Sequence, residues 1–177
     1  MEVLFSAENF FKVVRKVVKT NGKDNRFYEI KINDVVIVAA VNRKKELLFE
    51  KHFRPIIGKT LYELPAGYIN KGESPKSSAL RELEEETGYK AGKIKKLFKN
   101  YMSSGRTKQI MHFFFAYDLT RGRRHIESGE QIDGILWIPI DKALQMIKSG
   151  EIKGIDTTAC ILFLSKYIKD MQTENNR

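Results

Sequence analysis

The stretch from Ser74 to Gly88 constrains the fold more than any other part of the chain. Ser74 is a side-chain cap, Pro75 suits the first helical position, and Gly88 suits a left-handed stop. Between them SALRELEEET reads as helix. Glu82, Glu85 and Glu86 are spaced i, i+3, i+4, so a helix turns them to one face and leaves Glu84 off it. Carboxylates crowded on one face repel each other unless something positive sits there. Oxygen donors of this kind suit a hard cation such as Mg²⁺ or Mn²⁺. Arg81 stands four residues before Glu85 and can orient it. The plainer alternative for a run of glutamates is a solvated acidic face.

The flanking segments predict strands. Residues 10–18 (FFKVVRKVV) fit a helix or a strand, and their valine pairs and alternation favour a strand. Asn21-Gly22 marks a turn, and Arg26–Ile32 alternates like a returning strand. Val35–Val41 is apolar and β-branched, as a buried strand would be. Further strands are expected at Glu46–Phe53, Ile94–Asn100, Met111–Tyr117 and Gly134–Ile140, with Leu61–Asn70 extended around Pro65. Asp141–Ser149 and Asp156–Lys169 read as helices, and Gln172–Arg177 as a frayed polar tail. Many strands with one central and two late helices predict an α/β sandwich on a mixed sheet, with an N-terminal hairpin.

The 177 residues suit one domain, read here as 1–171, with a tail at 172–177. Within it, residues 1–33 form the hairpin region. No apolar run reaches the roughly 18–20 residues that span a bilayer, and the N-terminus does not read as a signal peptide. The single cysteine, Cys160, excludes an internal disulfide and sits in an apolar helix face. A cytoplasmic protein without membrane contact is expected. The net charge of +10 suits either solvated lysine surface or attraction to polyanions, and the surface reading is favoured.

From Gly67 to Tyr89 the chain reads GYINKGESPKSSALRELEEETGY. It fits G-x5-E-x7-R-E-U-x-E-E-x-G-U at Gly67, Glu73, Arg81, Glu82, Leu83, Glu85, Glu86, Gly88 and Tyr89. By average residue usage, a chance match in one register has odds on the order of 10⁻⁸. The segment resembles the box of the Nudix hydrolases. The resemblance implies a loop–helix–loop that holds divalent metal and cleaves a nucleoside diphosphate linked to another group. Glu82 and Glu86 match the family's principal ligands, with Glu85 joining them. Gly67 lets the backbone approach the phosphates, and Glu73 pairs with Arg81.

Outside the box, Glu63-Leu64-Pro65-Ala66-Gly67 and His52-Phe53-Arg54-Pro55 resemble the ADP-ribose pyrophosphatase branch. So does Gly150–Thr158. That resemblance implies Ala66 as a carbonyl ligand and Arg54 as a phosphate contact. It also implies a homodimer through the hairpin, with Tyr28 or Phe27 stacking on the base; packing of either ring in the core is the equal alternative. Two positions depart from the branch: Ser104 replaces a proline and Gln109 a glutamate. Arg106 and Lys108 add positive charge to the same loop, and Arg106 is a substrate-binding candidate. The base is expected from the loop Arg124–Gln131, with Glu130 first, Glu127 next, and Glu85 as the fallback. The resemblance thus implies hydrolysis of ADP-ribose to AMP and ribose 5-phosphate. The alternatives are another nucleotide sugar, a nucleoside triphosphate or an RNA 5′ end, or a non-catalytic nucleotide- or RNA-binding module. His112 and Phe113–Phe115 are expected to pack in a strand rather than carry chemistry.

Overall fold

The computed structural model describes residues 1–8, 10–126 and 128–174, with side chains described as far as Ile168. The chain opens with Glu2–Ala7 (β1), Phe11–Thr20 (β2) and Lys23–Ile32 (β3), an antiparallel three-stranded sheet in the order β1-β2-β3. Its hairpin turns on Asn21 (φ 53°) and Gly22 (φ 76°), and Thr20 faces Lys23 across the turn. A two-residue turn that matches strand twist needs positive φ at both positions, which Asn-Gly supplies most easily. The strand at β1 was not among the sequence expectations.

The body follows with Val35–Ala40 (β4), Glu46–Arg54 (β5), Lys59–Glu63 (β6), Ala66–Tyr68 (β7) and Pro75–Thr87 (α1). Then come Tyr89–Tyr101 (β8), Ile110–Arg121 (β9), Gln131–Pro139 (β10), Ile140–Ser149 (α2) and Ile155–Glu174 (α3). One sheet has the order β7-β4-β9-β8 and is mixed, because β4 and β9 run parallel while their other neighbours are antiparallel. A second, antiparallel sheet has the order β10-β5-β6. The extended segment around Pro65 resolves into β6 in one sheet and β7 in the other. Leu64 and Pro65 carry the chain between them, and the Pro65 carbonyl accepts from Val38 N at 2.9 Å. Proline has no N–H to lose from a ladder, so it suits this crossing.

Strand β4 explains its own apolar run. Val36, Val38 and Ala40 pack with Ala79 and Leu83 of α1, while Ile37, Ala39 and Val41 pack with Met146, Cys160 and Leu164 of α2 and α3. Phe113 and Phe114 divide between the same two cores. A strand buried on both faces reads as continuous hydrophobicity, and the result is the expected α/β/α sandwich.

Strand β8 starts directly after Gly88, earlier than Ile94. It lies at a sheet edge and exposes Lys93, Lys95, Lys96 and Lys99. Lysines on an edge discourage pairing with another chain, which accounts for part of the basic charge. Helix α3 runs through Glu174, so Gln172–Glu174 continue the helix and the rest of the expected frayed tail lies outside the described residues.

Candidate active site

Helix α1 begins and ends where its sequence dictates. Ser74 accepts from Ser77 N at 3.1 Å, Ser77 Oγ accepts from Ser74 N, and Gly88 closes the helix at φ 73°. The i, i+3, i+4 spacing then gathers the acidic residues. Glu82 and Glu86 are buried, and Glu85 is half-buried. Arg81 reaches Glu82 at 2.8 Å, Glu85 at 2.9 Å and Glu73 at 3.1 Å. It is thus both the orienting group for Glu85 and the brace to Glu73. Hydrogen bonding from Arg81 holds the Glu73 carboxyl below the usual carboxylate range.

Gly67 is held to glycine by space. A β-carbon there would meet Glu82 Oε1 at 2.1 Å. Beside it, Ala66 N donates to Glu86 Oε2 at 2.9 Å.

Across from α1, the period of two along β5 puts Leu48, Glu50 and His52 on one face. Leu48 packs with Ala79 and Leu83 of the helix. Glu50 and His52, further along, sit beside Glu86: one ligand atom from each of the three lies within 4.8 Å of the others, and all three residues are buried. Glu50 Oε1 and Glu86 Oε1 have no hydrogen-bond partner among the described residues. Burial pushes Glu50 up to about 8, with Glu130 adding to the shift, and Glu82 up to about 7. Glu86 is raised well above the usual range, first by burial and then by Glu50 and Glu82. Burial, with Arg54, lowers His52 to about 4. His52 is therefore neutral near pH 7, and its approaches to Glu50 (3.9 Å) and Glu63 (3.8 Å) are not ion pairs. Sequence reasoning missed Glu50 and His52. They lie on another element from the box and form no motif with it. Only their polarity inside an otherwise apolar strand could have signalled them.

A cleft of about 290 Å³ is lined by Arg54, Ala66, Gly67, Arg81, Glu82 and Glu130 among others. Arg54 is held by Glu63, with Nε at 2.9 Å and Nη2 at 2.6 Å from its Oε2. The loop bearing Glu130 is tied to the end of α1. Arg124 Nε donates to the Glu86 carbonyl at 2.7 Å, and His125 N donates to the Glu85 carbonyl at 2.8 Å. Sequence reasoning missed Arg124 as well. Glu127 lies outside the described residues. Tyr28 is exposed on β3, and Arg106 is exposed in the loop after β8 with its carbonyl accepting from Ile30 N at 2.8 Å. Neither lines the cleft of its own chain. Gln109 is buried and donates to the Asn33 carbonyl at 2.6 Å, so it supports a residue of the cleft wall. Exposed Ser104 does not line the cleft.

The donor set fits a divalent cation. Buried carboxylates with orphaned oxygens are costly in an apolar setting, and a hard cation neutralises them. Residues 31–157 match the NUDIX domain. The chain belongs to the Nudix family. It is 34% identical over 165 residues to the ADP-ribose pyrophosphatase of Bacillus subtilis (strain 168), covering 92% of this chain and 89% of that protein. It is 30% identical to the methanol dehydrogenase activator of Bacillus methanolicus over the same shares. The GDP-mannose pyrophosphatase of Escherichia coli O9:H4 (strain HS) is 32% identical, over 75% of this chain and 73% of that one. A solved structure described as an ADP compounds hydrolase shares the fold, with a TM-score of 0.81 at 18% identity over 96% of this chain and 94% of that one. The protein is a Nudix hydrolase, and Nudix hydrolases use divalent metals.

Proposed function

We propose that this Nudix hydrolase cleaves the pyrophosphate of ADP-ribose, giving AMP and ribose 5-phosphate, with Mg²⁺ as its cation and Mn²⁺ as a substitute. The observation that carries the reading is the convergence of Glu82, Arg81 and Gly67 of the box with Arg54 and Glu130 on one cleft. Glu82, Glu85, Glu86 and the Ala66 carbonyl would hold the cation. When bound, the cation supplies neutralisation of the pyrophosphate and activation of the attacking water.

The chain's own groups do the rest. Arg54, pre-set by Glu63, binds the phosphates as a planar fork. Gly67 leaves room for the Glu82 carboxylate against the backbone, at the wall of the cleft that the phosphates would enter. Arg81 fixes the carboxylate geometry through its bonds to Glu73 and Glu85. Glu130 takes the proton of the attacking water, with Glu127 and then Glu85 as the next candidates. Glu130→Gln should therefore lower kcat about 10²- to 10⁴-fold, with KM little changed. A loss confined to KM would move the base elsewhere.

The N-terminal sheet leaves Val3, Phe5, Val17, Phe27 and Tyr28 exposed. Such apolar exposure, on both faces of the sheet, supports a homodimer, and in a dimer Tyr28 and Arg106 would be available to the partner's substrate. We take residues 1–171 as one working unit, with 1–33 as its dimerisation element. The lone, buried Cys160 suits a reducing, cytoplasmic setting. Among the described residues no helix is long and apolar enough to cross a membrane.

A second reading, hydrolysis of another nucleotide sugar, is favoured by the likeness to GDP-mannose pyrophosphatases. Chromatography of products from ADP-ribose and from GDP-mannose, with and without Mg²⁺, separates the two. Metal-dependent AMP and ribose 5-phosphate are expected. Turnover of GDP-mannose alone would transfer the assignment to the second reading.

A further inference from the structure

We propose that Glu50, His52 and Glu86 form a second cation site, of mixed oxygen and nitrogen donors, beside the carboxylate face of α1 and sharing Glu86 with it. The proposal deepens the reading of the box as a divalent-cation centre and rests on it. Its ligands come from two elements, and only Glu86 belongs to the box.

The geometry is that of a site. One ligand atom from each residue lies within 4.8 Å of the other two. Donors around one cation at about 2.1 Å lie at most about 4.2 Å apart, so the set is within a small side-chain rotation of closing on an ion. Glu50 and Glu86 are each 1% exposed, and Oε1 of each has no hydrogen-bond partner among the described residues. Unpaired acceptors at such depth are rare. The other oxygen of Glu86 is already engaged by Ala66 N, which leaves Oε1 for a ligand.

Arg124 and Arg54 act on Glu50 from a distance, but neither reaches it as an ion pair. Arg54 is bound to Glu63, and Arg81 to Glu73, Glu82 and Glu85. Among the described residues no lysine or arginine forms an ion pair with Glu50 or Glu86. The face of β5 that carries Glu50 also carries Leu48, which is packed against α1. An apolar residue at position 50 would extend that packing, and a glutamate opposes it unless a counter-charge is present. His52 adds an imidazole. All-oxygen sets suit Mg²⁺, whereas imidazole shifts preference towards first-row transition ions. The predicted occupant is such an ion, held beside the cation of the box.

Electron spin-echo modulation of the full-length protein saturated with Mn²⁺ reads nitrogen bound directly to the metal. Nitrogen coupling is expected in the wild type, lost in His52→Gln and retained in His125→Gln. Calorimetric titration should show one class of Mn²⁺ weakened at least about tenfold in His52→Gln and in Glu50→Gln, with circular dichroism verifying that each variant is folded. Wild-type protein that binds Mn²⁺ without nitrogen coupling, or coupling that survives His52→Gln, overturns the second site and leaves the box centre standing. Wild-type protein that binds no divalent cation overturns both readings.

Discussion

A methyl group on Gly67 would sit 2.1 Å from Oε1 and 2.5 Å from Oε2 of Glu82, so Gly67→Ala must displace that carboxylate. Misplacement of a positioned group by about 1 Å can cost about 10²-fold in rate. Gly67→Ala should therefore lose about that much kcat while its circular dichroism stays native. A variant that kept full kcat would show that the Glu82 position does not matter to catalysis. Gly88 is constrained differently: its φ of 73° is the cause, and its role is to stop α1. Two glycines of one motif thus answer to separate physical demands, contact at one and backbone angle at the other.

At the scale of elements, α1 is built to be placed accurately at both ends. Its cap at Ser74 satisfies a backbone donor that would otherwise be orphaned. Ser74→Ala should cost about 1 kcal/mol of stability, read as a lower denaturant midpoint, with kcat little changed below the transition. The N-terminal sheet poses the opposite problem, because beyond Val14 the hairpin of β2 and β3 carries little buried surface of its own. If a second copy covers it, the double variant Val17→Asp, Phe27→Asp should sediment as a monomer. A wild-type protein that is itself monomeric at micromolar concentration would remove the dimer from the account.

For the whole molecule, the buried acids couple stability to pH and to metal. Burial raises Glu50 from 4.5 to about 8 and Glu82 from 4.5 to about 7. Folded-state values above the unfolded ones mean that the folded protein binds more protons in this window. With metal chelated, the stability that these two groups contribute is fully present below about 4.5 and falls as pH rises towards 8. A divalent cation replaces those protons, so added Mg²⁺ should raise the melting temperature more at pH 8 than at pH 5. Thermal unfolding across that range, with chelator and with Mg²⁺, checks it. An equal Mg²⁺ effect at both ends would show that the cation binds away from these carboxylates.

What sequence alone determined was local. Helix α1, its caps and its acidic face follow from i, i+3, i+4 spacing and from residue chemistry within 15 positions, so they were legible without a fold. The same holds for the Asn21-Gly22 turn and for β4, whose apolar run anticipates burial on both faces. Tertiary structure decided what meets across elements. The approach of Glu50 and His52 to Glu86 depends on β5 and α1 packing through Leu48, Ala79 and Leu83. The division of the segment around Pro65 between two sheets depends on partners distant in sequence. Gln109 reads as a lost glutamate along the chain but, once folded, supports the Asn33 carbonyl at the cleft wall. Periodicity records which way a residue points on its own element. Which group it then meets is set by the packing of elements, and no short-range pattern carries that information.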